Sequence, residues 1–399
     1  MRRRLLVIGL ALVCLGAGLL GLAGSVHDGA GAPETLTTAS PPPPPPTSAV
    51  SPPPPIRPRS TFARPRRGVP LPDGFVPRRL APGQRPPQFV VVSFDGVGWH
   101  REWRHWMDVA SRVPFRFTGF LSGTYLLSDA TRDRYRPPYY APGTSEIGWG
   151  TPEDVRVEVA DLNRALRSGM EIGTHFNGHF CASAGLPSGG DTWTTRDWQV
   201  ELGQFFHLVR DYRADNALPR SVRLLLRPGE VEGDRTPCLE GSPSALYPAL
   251  AARGFRYDSS FTRSPLTWPT RDPRTGPWRL GMTTFPLHGT GHRVTTMDYN
   301  YFFTQRGGVD GTVAQARADQ RQVLATYDDL YRQSFHGNRA PMILGNHFND
   351  WNHHAYVNAL TSFVLHTCGR PHTSCVPFRD LVAWLDVQTP RTLARLPRE

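Results

Sequence analysis

Phe89-Val90-Val91-Val92-Ser93-Phe94-Asp95-Gly96 is the stretch on which the fold turns. Its first six residues carry no charge and are rich in β-branched and aromatic side chains. Only then does the chain meet an acid and a glycine. A strand with one wet face would alternate apolar and polar residues. An unbroken apolar run marks a strand buried on both faces, as in a parallel sheet covered by helices. The folded region therefore starts near Gln88, and its first strand ends in Asp95, with Gly96, Val97 and Gly98 turning the chain away.

Working outward, strands and helices alternate. Residues 115–121, 171–176, 222–226, 284–287 and 341–347 read as strands. Residues 152–167 read as a helix, with Val155, Val159, Leu162 and Leu166 on one face, Thr151 as N-cap and Gly169 as the stop. Residues 195–215, 244–253, 309–335, 355–366 and 378–385 are also helical. This order predicts an α/β fold with a parallel sheet. Three of the apolar strands end in chemistry-bearing residues: Asp95, His175 and His347. In parallel α/β folds the carboxyl ends of strands gather the reactive side chains. His175-Phe176-Asn177-Gly178-His179 places two imidazoles four residues apart, and such a pair can share one divalent ion.

The chain has 399 residues and a formal charge of +11. Residues 1–88 hold eleven Arg against Asp28, Glu34 and Asp73, so the remainder is close to balanced. Such a distribution does not describe a nucleic-acid-binding domain; it suits an anionic membrane or wall surface. Arg2, Arg3 and Arg4 precede an uncharged stretch from Leu5 to Gly24. Residues 1–24 are thus expected to be a signal peptide or an N-terminal membrane anchor, and either places the rest outside the cytoplasm, secreted or held at the outer face of the membrane. Residues 25–87, with proline runs at 41–46 and 52–55, are expected to form a disordered, extended linker. A barrel-sized domain at 88–390 and a tail at 391–399 complete the expected organisation, as a monomer that meets the membrane only through its N-terminal segment. Cys181, Cys238, Cys368 and Cys375 suggest two disulfides in an oxidising compartment. Cys368 and Cys375 flank a short turn and are expected to pair, leaving Cys181 for Cys238. The rival reading is a Cys/His zinc site that uses Cys181.

These motifs, in this order, resemble the polysaccharide deacetylases of the NodB homology type. The resemblance covers residues 88–390 and implies an irregular (β/α)7 barrel. Ser93-Phe94-Asp95-Gly96 stands where that family has Thr-Phe-Asp-Asp-Gly, and His175-Phe176-Asn177-Gly178-His179 stands where it has His-(Ser/Thr)-x-x-His. Arg235-Thr236-Pro237 fits its Arg-x-Pro motif, with Arg227-Pro228-Gly229 as a competitor, and Ile343-Leu344-Gly345-Asn346-His347 fits its last strand. The resemblance implies a metal, zinc by ligand type, on His175 and His179. It also implies Asp95 as general base, His347 as general acid and Arg235 as the partner that holds Asp95. Amide hydrolysis needs these parts: an activated water, a proton acceptor and an acid for a poor amine leaving group. The implied activity is exported, metal-dependent hydrolysis of N-acetyl groups on carbohydrate or cell-wall glycan.

One position departs. The family's second Asp, its usual third metal ligand, is Gly96 here. Asp95 itself, or another carboxylate such as Asp258 or Asp350, could replace it. The alternative function is a catalytically weakened barrel that binds glycan at the envelope. Trp99, Trp103 and Trp106 could stack on sugar rings or pack in the core, and Asp129 and Glu146 could reach the cleft. A zinc peptidase is disfavoured because no His-Glu-x-x-His occurs.

Overall fold

The first apolar run forms β1 (Gln88–Asp95), buried along its whole length. In this computed structural model the chain is described at residue 71 and at residues 74–396, apart from 183–187 and 272–275. The expected signal or anchor and most of the expected linker lie outside the described residues. Among the described residues no helix is long and apolar enough to cross a membrane.

The strands that follow are short: β2 (Thr118–Leu121), β3 (Glu171–Thr174), β4 (Gly233–Asp234) and β5 (Tyr257–Asp258). Then come β6 (Thr262–Arg263), β7 (Thr270–Arg271), β8 (Trp278–Arg279), β9 (Met282–Pro286) and β10 (Arg293–Thr295). β11 (Met342–His347) and β12 (Thr373–Cys375) finish the set. Seven of them form one continuous parallel run in the order β11, β1, β2, β3, β4, β5, β8. β7 closes that edge antiparallel to β8. β9 and β10 turn back toward β11, where Thr296 Oγ1 donates to the carbonyl of Ile343 at 2.8 Å and Gly345 N donates to the carbonyl of Thr296 at 2.9 Å. The sheet therefore curls into an irregular (β/α)7 barrel. At its amino end β12 lies beside β1 from Gln88 to Val90, while β2 pairs β1 only from Ser93 to Asp95.

Helices α1 (His100–Arg112), α2 (Pro152–Arg167), α3 (Thr195–Asp215), α4 (Pro243–Ala252), α5 (Asp298–Arg306), α6 (Val313–His336), α7 (Trp351–Thr367), α8 (Phe378–Val387) and α9 (Pro390–Arg395) accompany the sheet. The starts of α2, α3 and α6 are fixed by capping boxes, Thr151 with Asp154, Thr194 with Asp197 and Thr312 with Gln315. Val155, Val159 and Leu162 of α2 are buried, as their spacing predicts.

Several expectations are corrected. Residues 222–226 form no strand: the segment is irregular, with Leu224 and Leu226 buried, and its backbone is held by side chains, with Leu224 N donating to Tyr212 Oη and Leu225 N to Asn163 Oδ1. The helix expected at 309–335 begins at Val313, after the Thr312 cap, and the separate α5 before it was not anticipated. The domain also extends past both expected boundaries. Arg79 Nε donates to the carbonyl of Val387, Phe75 packs edge-on to Phe89, and Leu396 is buried in the second apolar cluster. Apolar side chains on both flanks supply surface that the barrel's amino end would otherwise leave wet. Trp103 and Trp106 are core residues, whereas Trp99 is exposed.

Candidate active site

The carboxyl ends of adjacent strands bring the site together. Asp95 is the last residue of β1 and lies in register with His347, the last of β11. His175 follows β3 directly, Arg235 follows β4, and Thr174 and Asp234 are register partners. Along β1 the period-two alternation sends Ser93 and Asp95 to the barrel interior together. Both meet Arg235 there. Its Nη1 donates to Asp95 Oδ1 at 2.7 Å and to Ser93 Oγ at 2.8 Å. Its Nη2 reaches Ser259 Oγ at 2.8 Å, and its guanidinium lies over the Phe120 ring at 4.7 Å. The Arg235 side chain is fully buried, so this is a desolvated ion pair with its donors well used. The competing Arg227 is exposed and pairs with Glu230 on its own turn.

Burial pushes the Asp95 carboxyl up, but Arg235, His175 and His347 together pull it further down, so it stays ionised through the neutral range. His175 behaves oppositely. Burial, aided by His179 and His347, lowers it to about 3 against the pull of Asp95, and it is neutral. Its Nδ1 lies 2.8 Å from the Arg235 carbonyl oxygen, which requires the Nδ1–H tautomer. Nε2 then carries a free lone pair, and it is buried with no hydrogen-bond partner. The His179 ring lies 5.1 Å away, centroid to centroid, with its Nδ1 3.7 Å from Glu146 Oε2. Both imidazoles therefore have Nδ1 turned toward an outer partner. That is how histidines present Nε2 to a shared ion, and in this respect the pair fits a divalent metal.

The third ligand is missing from the places the sequence suggested. Among the described residues no Asp or Glu joins both histidines within 4.8 Å; the one such cluster is His179, Cys181 and Cys238. Those cysteines are bonded to each other, so the rival zinc reading of Cys181 is corrected, and Cys368 is bonded to Cys375. The bridge from Cys181 to Cys238 ties the histidine loop to the segment just after Arg235. Asp95 is turned to Arg235 and does not join the histidine pair. Asp258 points the other way, because alternation along β5 sends Ser259 inward and Asp258 outward. Its carboxylate accepts from Ser260 N at 3.0 Å and Tyr247 Oη at 3.2 Å. Asp129 pairs with Arg132 on the surface, whereas Glu146 lies beside His179.

His347 has a partner that sequence reading missed. Asp298, buried at the first turn of α5, accepts from His347 N at 2.7 Å and sits 2.7 Å from His347 Nδ1. Asn349 Nδ2 donates to the same carboxylate at 2.6 Å. Burial pulls the His347 pKa down, but Asp298 and Asp95 outweigh it and raise it above the ordinary imidazole value. An acid opening a helix reads in sequence as a dipole partner, so nothing distinguished Asp298 until the barrel closed.

No family model and no curated protein matches this chain. Solved structures with a similar course include a protein from Mycobacterium smegmatis assigned as a polysaccharide deacetylase, at 13% identity, 78% of this chain, 95% of that one and a TM-score of 0.47. A family 4 carbohydrate esterase from Streptomyces lividans gives 9%, 72%, 91% and 0.36. A CE4 family pseudoenzyme from Bacillus anthracis gives 8%, 77%, 70% and 0.37. Likeness this distant carries no argument about chemistry, which rests on the site itself. Seven parallel strands in this order place Asp95 at the end of the first, the histidine pair after the third and His347 at the end of the strand beside the first, all at one mouth of an irregular (β/α)7 barrel.

Proposed function

We propose that the chain is an exported hydrolase that removes N-acetyl groups from carbohydrate, with envelope or extracellular glycan as substrate. The observation that carries this reading is the pairing of Asp95 and His347 on adjacent strand ends, one held ionised by Arg235 and the other held protonatable by Asp298. A divalent ion on His175 and His179 would polarise the acyl carbonyl and acidify water. Asp95 accepts the proton of the attacking water. Arg235 fixes its orientation, and through its main-chain carbonyl also fixes the His175 tautomer. His347 has Nδ1 committed to Asp298, so the proton it gives to the departing amine is on Nε2. Proton transfer by a positioned side chain is worth about 10²–10⁴ in rate.

Acetate release from N-acetylated oligosaccharides tests this, with Asp95→Asn and His347→Gln as comparators. Release by the parent chain that falls at least about 100-fold in each variant is expected. Equal release by parent and variants, or none across a broad glycan panel, would refute it.

Gly96 favours a second reading, a barrel that binds glycan without turning it over. Retention on a glycan matrix without acetate release, with or without added metal, would select it.

A further inference from the structure

β2 lies between β1 and β3, and Ser122 is the residue just past its end. Hydrogen bonds on either side hold it alongside the histidine segment: His175 N donates to the Leu121 carbonyl at 2.8 Å and Gly123 N to the Phe176 carbonyl at 2.7 Å. Ser122 keeps an extended backbone. The alternation of β2 therefore carries it to the same interior face as Phe120, the residue beneath the Arg235 guanidinium. Its Oγ is fully buried and has no hydrogen-bond partner. A Cβ on Gly96 would lie 3.9 Å from Ser122 Oγ and 3.7 Å from Tyr125 Oη. The place that a carboxylate at position 96 would fill is thus faced by hydroxyls.

Ser122 Oγ and His175 Nε2, on neighbouring strand ends, are two of several buried polar atoms without a hydrogen-bond partner among the described residues. Unmade hydrogen bonds at buried polar atoms are costly and rare in native structures. Imidazole Nε2 in this tautomer can only accept, and the serine hydroxyl, which could donate, is not within hydrogen-bond reach of it. A cation satisfies a lone pair on each. We propose that Ser122 Oγ is the oxygen donor that replaces the missing carboxylate, completing with His175 and His179 a neutral set of two nitrogens and one oxygen for a divalent cation. This rests on the reading of the histidine pair as a metal site. A neutral third donor predicts weaker binding than a carboxylate would give, since each anionic ligand adds direct attraction to the ion.

The test uses the whole exported chain, stripped with a chelator and titrated with Co²⁺ and with Zn²⁺ by calorimetry and, for Co²⁺, visible absorption. Ser122→Ala is expected to weaken binding at least about tenfold and to alter the Co²⁺ spectrum. Without metal it should melt at or above the parent temperature, because an unsatisfied hydroxyl has been removed. Ser122→Asp and Gly96→Asp are each expected to tighten binding. Parent and Ser122→Ala binding Co²⁺ with equal affinity and the same spectrum would overturn the role of Ser122 while leaving the histidine site standing. If the parent binds neither ion, and His175→Ala is indistinguishable from it, both readings fall. A metal-free Ser122→Ala that melts well below the parent would show the hydroxyl to be structural, and would also overturn the proposal.

Discussion

Replacing Arg235 by methionine isolates the electrostatics of the site. Methionine can follow the path of the arginine stem between Phe120 and Phe378, whose ring centroids lie 4.7 and 5.9 Å from the guanidinium carbon. Packing should therefore be largely kept. The bonds to Asp95, Ser93 and Ser259 are lost, and Asp95 is left as a buried carboxylate without its cation. Removing one partner of a buried pair costs about 3–5 kcal/mol, or a fall in Tm of roughly 5–15 °C for a domain of this size. In the parent, the Asp95 pKa lies below its ordinary value, so its contribution to stability is present at neutral pH and fades as pH falls through that depressed value. In Arg235→Met the burial remains while the main opposing charge is gone, so the pKa rises. The gap between parent and variant should therefore be widest at neutral pH and should narrow toward pH 4. Urea or thermal unfolding from pH 4 to 8 measures this. Adding Asp95→Asn removes the stranded charge and should recover most of the loss at pH 7. A single variant within about 1 kcal/mol of the parent at pH 7, well below the expected penalty, would refute the reasoning. So would a double variant that recovers nothing.

Other consequences are as direct. Asp298→Asn removes the charge that holds the His347 pKa up, so the alkaline limb of a pH–rate profile should move to lower pH, with little change on the acid side. Glu201 is buried, accepts from Tyr135 Oη at 2.7 Å and is pushed up to about 7. Its ionisation thus costs stability as pH rises from about 4.5 to 7, roughly 3 kcal/mol in all. Glu201→Gln should equal the parent near pH 4 and exceed it at pH 8; parallel melting curves would count against this. The bridge between Cys181 and Cys238 closes a loop of 57 residues, for which chain entropy gives up to roughly 4 kcal/mol. Cys181→Ser with Cys238→Ser should lower the urea midpoint accordingly, and should weaken any metal binding at His179 as the loop loosens.

The sequence carried the strong periodic elements. The unbroken run at Phe89–Phe94 read as a doubly buried strand, and the stripe of Val155, Val159, Leu162 and Leu166 as the core face of a helix; both elements occur, with Leu166 at the end of the stripe only half-buried. Signals failed where tertiary contacts replaced local ones. Strands such as β4 and β5 have two residues each, too short for any pattern to show. The apolar stretch at 222–226 looked like a strand, but side-chain partners satisfy its backbone outside any sheet.

At the site, Asp95, His175 and His347 were legible because each stands at the end of an apolar strand, His179 because it is paired with His175 at metal-binding spacing, and Arg235 only through the family resemblance. Their order along the chain suggested a single site at one end of a barrel. What the sequence could not say is which way each carboxylate points. Alternation along a two-residue strand turns Asp258 outward, and closure of the sheet across Thr296 and Gly345 brings Asp298 to His347 from about fifty residues upstream. The residue types at the strand ends are therefore a local property, written in the chain. The partner each one meets depends on sheet curvature and register, and only the folded barrel decides that.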